Sequence, residues 1–271
     1  MKNLLIILGV LVVGIPLLGW IGLQIRPKAF DPVPVQGQVT QTMPLPEGLP
    51  APVERFYRTV YGEEIPVIES AVVSGRAELR FMGITFPSRF RFTHVTGQDY
   101  RHYIEATIFG FPLMKVNEHY LDGHSRLALP FGVVENEPKI DQAANLGLWG
   151  EGFWFPAIYI TDSRVRWAAI DDTSARMYVP FGEGEDEFVV TFDSETDLII
   201  SLDAMRYKEV TDEAKTPWHN EALYWAELDG GFLPTTGTVT WMDEGSPWAT
   251  FIVEEVVYNA NVSDYVRATG P

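Results

Sequence analysis

Apolar and polar residues alternate along much of the chain, which is typical of half-buried antiparallel strands. The stretch ITFPSRFRFTHV, residues 84–95, places three phenylalanines and His94 on one face and two arginines on the other. DYRHYIEATIFG, residues 99–110, repeats the pattern with His102 on the apolar face. About ten such runs, separated by turn residues such as Asp122-Gly123, predict an antiparallel meander with short connections. The chain is therefore predicted to be mainly β.

Two segments show helical spacing instead. In PVERFYRTVYG, residues 52–62, apolar side chains recur at i, i+3, i+4 and i+7, which predicts a short amphipathic helix closed by a glycine. PKIDQAANLGLW begins at Pro138, a residue suited to a first helical turn, and has apolar residues at i, i+4 and i+8. A large twisted sheet needs its concave face covered, so we expect this central helix to cover it.

The first 25 residues are predicted to be a transmembrane anchor. Residues 4–25 contain no charged side chain, and a helix of that length would cover about 33 Å, one hydrocarbon thickness. A cleaved signal peptide, with Lys2 as its positive start, is the alternative, but the apolar run is long and no small-residue cleavage site follows it. Lys2 lies on one side of this segment and Arg26 and Lys28 lie on the other, so the positive-inside rule is nearly balanced between the two orientations. We expect a signal anchor, that is, a single-pass membrane protein whose domain lies outside the cytoplasm.

The remaining chain is predicted to consist of a spacer and one domain. Residues 26–50 are rich in proline, which opposes helix and sheet pairing, and are expected to be extended and semi-rigid. Residues 51–271 are expected to form a single β-rich domain. With 46% hydrophobic residues in a chain of 271, the composition is sufficient for a large core.

Composition excludes several classes of function. The net charge of −17 and the lack of a basic run argue against a nucleic-acid partner, because phosphate binding needs clustered Lys and Arg. The lack of cysteine excludes disulfides, thiolate catalysis and thiolate metal sites. The motifs GxGxxG and GxxxxGK[ST] and the βαβ pattern are also absent from the sequence. No cofactor is therefore predicted.

Candidate chemistry concentrates around one acid. The stretch NLGLWGEGFWFPAIYI, residues 145–160, places Glu151 beside Trp149, Trp154 and Phe155. Desolvation there would raise the pKa of Glu151 and suit it to act as a general acid. The alternative is that Glu151 pairs with Arg206 or caps backbone groups at the end of the central helix.

The histidines are the next candidates. His94 and His102 lie on apolar faces of strands expected to be neighbours, so they could meet across the sheet. His119 and His124 flank a turn that contains Asp122, and a hairpin could bring these three together as metal ligands. That spacing fits no metal motif, so no metal is predicted. No serine lies in a recognisable nucleophile elbow, and no catalytic residue is assigned.

Residues 52 to about 259 resemble an uncharacterised family of bacterial membrane-anchored proteins. Its pattern is E-x-x-W-x-P, then W-x-x-I-D and an alanine, then a late arginine, P-W and a tryptophan. These positions are here Glu151, Trp154, Pro156, Trp167, Ile170, Asp171, Ala175, Arg206, Pro217, Trp218 and Trp241. The family's Arg-Tyr-Leu before the acid is replaced by Gly147-Leu148-Trp149.

That family is similar in architecture to the LolA/LolB-like lipoprotein carriers of the bacterial periplasm. Those carriers are open half-barrels of antiparallel strands, closed by helices around an apolar cavity. The resemblance implies a single open half-barrel, covered by the short N-terminal helix and the central helix. It suggests lipid binding and implies no particular reaction.

We expect a non-catalytic, membrane-anchored domain that binds a lipid or other lipophilic molecule. Aromatic residues make up 13% of the chain, and pockets lined by aromatic and aliphatic side chains accept apolar ligands. The predicted ligand-binding residues are Trp149, Glu151, Trp154, Phe155, Trp167, Asp171, Arg206, Trp218 and Trp241. Asp171 can also be interpreted as a turn residue.

Two alternatives belong to other classes of function. The first is an enzyme acting on a lipophilic substrate, with Glu151 and a histidine as acid and base in an open pocket. The second is an envelope assembly module, which would expose a large apolar patch to a partner protein. Core packing alone could also account for much of the aromatic content.

Overall fold

The computed structural model describes residues 2–34, 37–129 and 132–268, with side chains from residue 13 onward. Its helices are α1 (Lys2–Leu23), α2 (Ala51–Val60), α3 (Pro138–Gly150), α4 (Ile158–Thr161) and α5 (Ser263–Arg267), with a 3-10 helix at Glu151–Trp154. Strands β1 (Thr42–Pro44) and β2 (Glu64–Pro66) form a small sheet. The large sheet contains β3 (Ser70–Phe81), β4 (Ile84–Val95), β5 (Asp99–Ile108), β6 (Phe111–Leu121), β7 (His124–Leu129), β8 (Gly132–Glu135), β9 (Arg166–Ala169), β10 (Ser174–Phe181), β11 (Gly184–Phe192), β12 (Ile199–Arg206), β13 (Thr216–Leu228), β14 (Gly231–Trp241) and β15 (Ser246–Tyr258). The prediction of a mainly β chain is confirmed.

The large sheet consists of two meanders that meet at its centre. Strands β3 to β8 follow one another towards one edge, and β9 to β15 return from the other edge, so that β3 pairs with β15. All pairings within this sheet are antiparallel. The edge strands β8 and β9 do not pair, so the described sheet is open. The chain therefore forms two meanders instead of the single one expected, and the segment that contains α3 joins them.

Helix α3 lies within the curve of the sheet. It contacts β6 and β7 in one half and β10 and β12 in the other, so the sheet bends around it. Every residue from Asp141 to Gly150 is buried, not only the predicted apolar stripe. The buried polar side chains have partners: Asn145 donates to Asp186 at 3.1 Å, and Asp141 accepts from the Ser125 amide at 2.7 Å. The central helix covers the concave face, as expected.

Helix α2 covers another part of the same face. Its Val53, Phe56 and Tyr57 are buried, which confirms the predicted amphipathic spacing. The Tyr57 hydroxyl donates to the Pro156 carbonyl oxygen at 2.7 Å and so connects α2 to the segment after α3. The ring of Phe56 lies 5.8 Å from that of Trp225 in β13.

Strand β3, at the centre of the sheet, was not predicted. Its first six residues are all buried because both of its faces are covered. Val72 packs on the outer face against the C-terminal segment that includes α5. A strand buried on both faces has no apolar–polar alternation. Gly75 breaks the pattern further, and a Cβ there would lie 2.0 Å from the Ile252 carbonyl oxygen, beside a bulge in β15.

Helix α1 falls within the predicted anchor. Residue 1 and the side chains of residues 2–12 lie outside the described part of the chain. Among the residues that are described, no helix is long and apolar enough to cross a membrane. The end of α1 packs on the turn between β5 and β6, where the Phe109 amide donates to the Gly22 carbonyl oxygen at 2.8 Å. The transmembrane anchor stays a prediction.

The described residues of the predicted spacer, 26–34 and 37–50, lie against the domain. Strand β1 pairs with β2 through partners such as Met43 and Ile65. The Arg91 guanidinium donates to the Asp31 carbonyl oxygen at 2.5 Å. Several apolar side chains of this segment also pack on the main core. The described residues of this segment cover part of the domain surface, and three of them form strand β1.

Candidate functional site

The concave face contains a cavity of about 120 Å³ beside α3. Strands of both halves of the sheet, α3 and the 3-10 helix supply its walls. The ionisable groups in its lining belong to His102, Glu118, Glu151, Arg206 and Glu221. The aromatic side chains in the walls are Phe92, Tyr100, Phe153, Trp154, Trp218, Trp248 and Phe251. The cavity thus combines an aromatic wall with a cluster of charges.

A second cavity, of about 180 Å³, adjoins the first, and Ile104 and Trp248 line both. Apart from Arg80, its lining is apolar and comes from the ends of β3 to β7 and from β15. The other lining residues are Leu79, Phe81, Phe86, Ala106, Met114, Val116 and Leu129. The two cavities lie in series between the charged cluster and the β3–β4 turn.

Two histidines converge on Glu151. Its Oε2 atom lies 2.7 Å from His102 Nε2 and 3.0 Å from His94 Nε2. His94 on β4 and His102 on β5 share one face of neighbouring strands, with ring centroids 5.8 Å apart, whereas Glu151 begins the 3-10 helix. The prediction that these histidines meet across the sheet is confirmed. Glu151 pairs with them and not with Arg206.

The partners of Glu151 decide its protonation state. Burial by itself would raise the pKa of Glu151, but the charge and hydrogen bonds of His102 and His94 lower it well below its ordinary value. Burial would likewise lower the pKa of His102, and Glu151 and Glu118 together raise it well above its ordinary value. The pKa of His94 is lowered, mainly by burial. The expectation of a raised pKa at Glu151 is therefore wrong: the cluster holds an ion pair beside a neutral imidazole.

Tyr100 and Glu118 both lie against the His102 ring. The Tyr100 ring stacks on His102 with centroids 3.8 Å apart, and its hydroxyl donates to Glu118 at 2.5 Å. The pairing of β5 with β6 places His102 opposite Glu118. Sequence analysis missed this acid, although it follows Met114 and Val116 on the face of β6 that lines the cavities. A carboxylate on an apolar face was the available signal.

Arg206 lies between α3 and two tryptophans. Its guanidinium carbon is 4.4 Å from the centroid of the Trp218 ring and 5.5 Å from that of Trp241. Its Nε atom donates to the Ala143 carbonyl oxygen in α3 at 2.9 Å. Such stacking and hydrogen bonding orient a guanidinium that is removed from water. Arg206 therefore holds a fixed positive charge at the cavity wall.

Two indole N–H groups in the cavity wall have no acceptor. The Nε1 atoms of Trp218 and Trp248 are buried and have no hydrogen-bond partner among the described residues. Both tryptophans line the cavity beside Glu151. Because buried donors are nearly always paired, these two groups suit the acceptor atoms of a bound molecule.

The model of a family described as a family of unknown function, DUF6544, matches residues 38–252. The chain belongs to the DUF6544 family. The match covers β1, α2 and nearly all of the large sheet, including Glu151 and both histidines that contact it. A search of curated proteins finds no match.

Three solved structures are similar to this DUF6544 chain. A DUF1329 family protein from Desulfovibrio piger has 13% identity and a TM-score of 0.43, covering 75% of this chain and 91% of its own. A domain assigned as an outer membrane lipoprotein-sorting protein from Vibrio parahaemolyticus has 10% identity and a TM-score of 0.42, covering 72% and 88%. A LolA superfamily protein from Nitrosomonas europaea has 8% identity and a TM-score of 0.47, covering 78% and 94%.

In this DUF6544 protein the predicted ligand-binding residues fall into two groups. The residues that line the cavity are Glu151, Trp154, Arg206 and Trp218. Each of them also belongs to the pattern on which the family resemblance was based. The cavity therefore brings together residues that are up to 67 positions apart, from Glu151 to Trp218.

The other predicted residues lie outside the lining. Trp149 and Phe155 are buried in the core. Trp241 lies beside Trp218, with its ring centroid 5.5 Å from the guanidinium carbon of Arg206. Trp167 donates its indole N–H to a carbonyl oxygen of α4 at 3.1 Å. Asp171 lies in an exposed turn before β10 and accepts hydrogen bonds from the residue two positions later, as its interpretation as a turn residue predicts.

The histidines of the β6–β7 hairpin do not form a cluster with Asp122. His124 is 74% exposed and lies 3.1 Å from Asp141 in α3. Asp122 pairs with Arg267 at 2.9 Å. His119 is buried on the opposite side of the strand from the cavity lining. The three groups thus have different surroundings, and the structure does not bring them together as a set of ligands.

Proposed function

We propose that this protein is a membrane-anchored, non-catalytic domain that binds a lipid or other lipophilic molecule inside an open half-barrel. The observation that carries the proposal is the pair of adjoining cavities in the concave face. One is almost wholly apolar, and the other places charged groups and two unpaired indole donors against aromatic walls. An elongated ligand with an apolar part and an acceptor group matches this arrangement.

The dimensions limit the ligand. The cavities measure about 120 and 180 Å³, and a cavity of ~150 Å³ is large enough for benzene. The larger cavity therefore suits one aromatic ring or one short acyl segment, and the smaller cavity suits a smaller group. Arg206 and the indole N–H groups of Trp218 and Trp248 favour a carbonyl, ester or quinone-like oxygen at the inner end.

Gly147 offers a direct test of where the ligand binds. It lies in α3 at the cavity wall, and a Cβ there would meet Tyr100 at 3.7 Å and Arg206 at 4.0 Å, ordinary contact distances. Gly147→Leu should therefore fill the cavity and lower affinity for a lipophile about tenfold or more, equivalent to ~1.4 kcal/mol. The measurement is native mass spectrometry with lipid extraction of the full-length chain, followed by titration of the extracted compound.

Gly147→Ala is the matched control, because it adds only the tolerated methyl group and should retain binding. A wild-type chain that carries no lipophile and takes up none would contradict the proposed function. If Gly147→Leu bound the lipophile as tightly as the wild type does, the ligand would not occupy this cavity. A ligand mass that changes on incubation with the protein would instead support the alternative that the protein is an enzyme acting on a lipophilic substrate.

Exposed apolar side chains at two hairpin turns support membrane anchoring. The end of α1 packs on the β5–β6 turn, so a bilayer entered by α1 would lie next to it. The exposed residues at this turn and at the neighbouring β3–β4 turn are Phe81, Met82, Ile84, Phe109, Phe111 and Leu113. Phe81 also lines the outer cavity. We infer that these turns touch the lipid surface, which places the outer cavity near a source of ligand.

A single-cysteine label tests this orientation, because the chain has no native cysteine. Phe111→Cys carries the label at a side chain that is 74% exposed. In vesicles the full-length protein labelled there with an environment-sensitive fluorophore should show blue-shifted emission and quenching by brominated lipids. Glu195→Cys, in the β11–β12 turn at the opposite end of the strands, is the control and should show neither. Equal water exposure at both positions would contradict the orientation.

Acid–base catalysis on a lipophilic substrate is the second candidate function. The observation that favours it is the 2.7 Å contact between Glu151 and His102, both of which line the cavity. Groups within hydrogen-bonding reach of a bound substrate can exchange protons with it. The low pKa of Glu151 makes His102 the acid of this pair.

A further inference from the structure

We propose that His94, His102 and Glu151 bind a divalent transition-metal ion of the zinc or iron(II) class at the inner end of the cavity. One ligand atom from each of the three residues lies within 4.8 Å of the others. Two imidazoles and one carboxylate are a common ligand set for these ions. Lipophile binding does not need such an ion, so the site goes beyond the proposed function.

The distances between donor atoms are close to those around a metal ion. Glu151 Oε2 lies 2.7 Å from His102 Nε2 and 3.0 Å from His94 Nε2. Nitrogen and oxygen ligands about 2.1 Å from an ion are separated by roughly 3.0–3.4 Å in octahedral or tetrahedral sites. The third pair of atoms, the two histidine nitrogens, lies within 4.8 Å. The two histidines sit on paired strands β4 and β5, which hold their relative positions.

His94 is the observation that distinguishes this cluster from a simple ion pair. Its side chain is fully buried, its Nε2 atom lies 3.0 Å from Glu151 Oε2, and its Nδ1 atom has no hydrogen-bond partner among the described residues. The same carboxylate oxygen lies 2.7 Å from His102 Nε2, so one oxygen atom faces two imidazole nitrogens. An ion at this point would bind all three atoms directly.

The surroundings of His102 resemble the support that metal-binding histidines usually have. Glu118 Oε2 lies 3.7 Å from His102 Nδ1, on the side of the ring away from Glu151, and Tyr100 donates to the same carboxyl group. A carboxylate behind a ligating histidine orients the ring and increases its basicity. Tyr100 further fixes the ring by stacking on it. Glu118 is therefore a positioning residue for the ion.

Charge and access also fit a cation. Metal binding requires a neutral His102 and releases its proton. The charged groups that remain are the carboxylates of Glu118 and Glu151 and the guanidinium of Arg206, so the acids then outnumber the base. Both His102 and Glu151 line the cavity, while His94 lies behind them. With three protein ligands, the remaining coordination positions face the cavity. A ligand oxygen or a water molecule can occupy them.

The test is metal binding by the purified full-length chain after treatment with a chelator. Titration with Zn²⁺ by calorimetry, and with Co²⁺ by visible absorption, should show one ion per chain and the spectrum of a nitrogen and oxygen ligand set. Glu151→Gln and His94→Gln should each lower the affinity by more than about tenfold. Glu118→Gln should lower it by about 10–100-fold and should leave the Co²⁺ ligand spectrum recognisable.

His124→Gln is the control, because it removes an exposed histidine outside the cluster and should leave the affinity unchanged. Circular dichroism of each variant checks folding, and Glu118→Gln keeps the test informative if His94→Gln does not fold. No stoichiometric ion in the wild type, or full affinity in Glu151→Gln, would overturn the proposal. Lipophile uptake by the chelated protein, measured in parallel, reports on the proposed function independently.

Discussion

Replacing Trp149 by alanine is expected to lower the free energy of unfolding by about 3–5 kcal/mol, the usual loss for a buried tryptophan. Only 1% of its surface is exposed, and it is the largest fully buried side chain of the described residues. The backbone at this position of α3 also accepts a hydrogen bond, which the Tyr159 hydroxyl donates to the Trp149 carbonyl oxygen at 2.7 Å. The rigid sheet around α3 cannot collapse into the space left by the indole ring, so a cavity remains. Equilibrium denaturation of the full-length chain measures the loss.

Tyr224→Thr is the matched control for this substitution. Tyr224 is a large aromatic residue in β13, but 64% of its surface is exposed, and threonine retains strand propensity. Its replacement should change the free energy of unfolding by less than about 1 kcal/mol. Similar losses for the two variants would show that α3 is not held in the centre of the sheet.

Glu151→Leu is expected to lower the free energy of unfolding by about 3 kcal/mol when measured with a chelator present. Leucine retains the approximate volume but leaves His102 and His94 facing an apolar group. Unpaired buried donors cost about 1–3 kcal/mol each, and removal of one partner from a buried pair is strongly destabilising. Glu151→Gln, which keeps an acceptor oxygen, should lose less than half as much.

An exposed ion pair provides the control for Glu151→Leu. Glu185 and Arg166 lie 2.6 Å apart at the surface of the sheet, with both side chains about half exposed. Glu185→Leu should have a much smaller effect, because water solvates the remaining charge. If Glu151→Leu were equally mild, the cluster would be open to water and would not form the closed end of a cavity. Chemical denaturation of the two variants side by side decides between these outcomes.

Periodicity correctly predicted those elements that have one buried face. Strand β4 has the predicted bounds, and both ends of α2 lie within two residues of the predicted ones. Each has a local pattern that does not depend on its neighbours. Strand β3 lacks that pattern because both of its faces are covered. Its pairing with β15, which joins the ends of the domain, depends on contacts across almost the whole chain.

The site could be located from the sequence only in part. Apolar spacing after Pro138 predicted α3, and the apolar-face positions of His94 and His102 indicated that the two histidines could meet. Which acid met which base depended on the curvature of the sheet around α3. Pairing with Arg206 was one alternative for Glu151, but Arg206 stacks on Trp218 and donates to the backbone of α3. Asp171 matched the family pattern and yet lies in an exposed turn.

The sequence by itself determined the fold class, the position of the central helix and the aromatic character of the interior, because side-chain periodicity is a local property. Only the tertiary structure decided the chemistry of the cavity. Strand register placed Glu118 opposite His102, and the path of α3 carried Glu151 to both histidines. Burial alone predicted a raised pKa at Glu151, and the two imidazoles reversed its direction. Electrostatic interactions depend on distances between groups far apart in the chain, which no local pattern records.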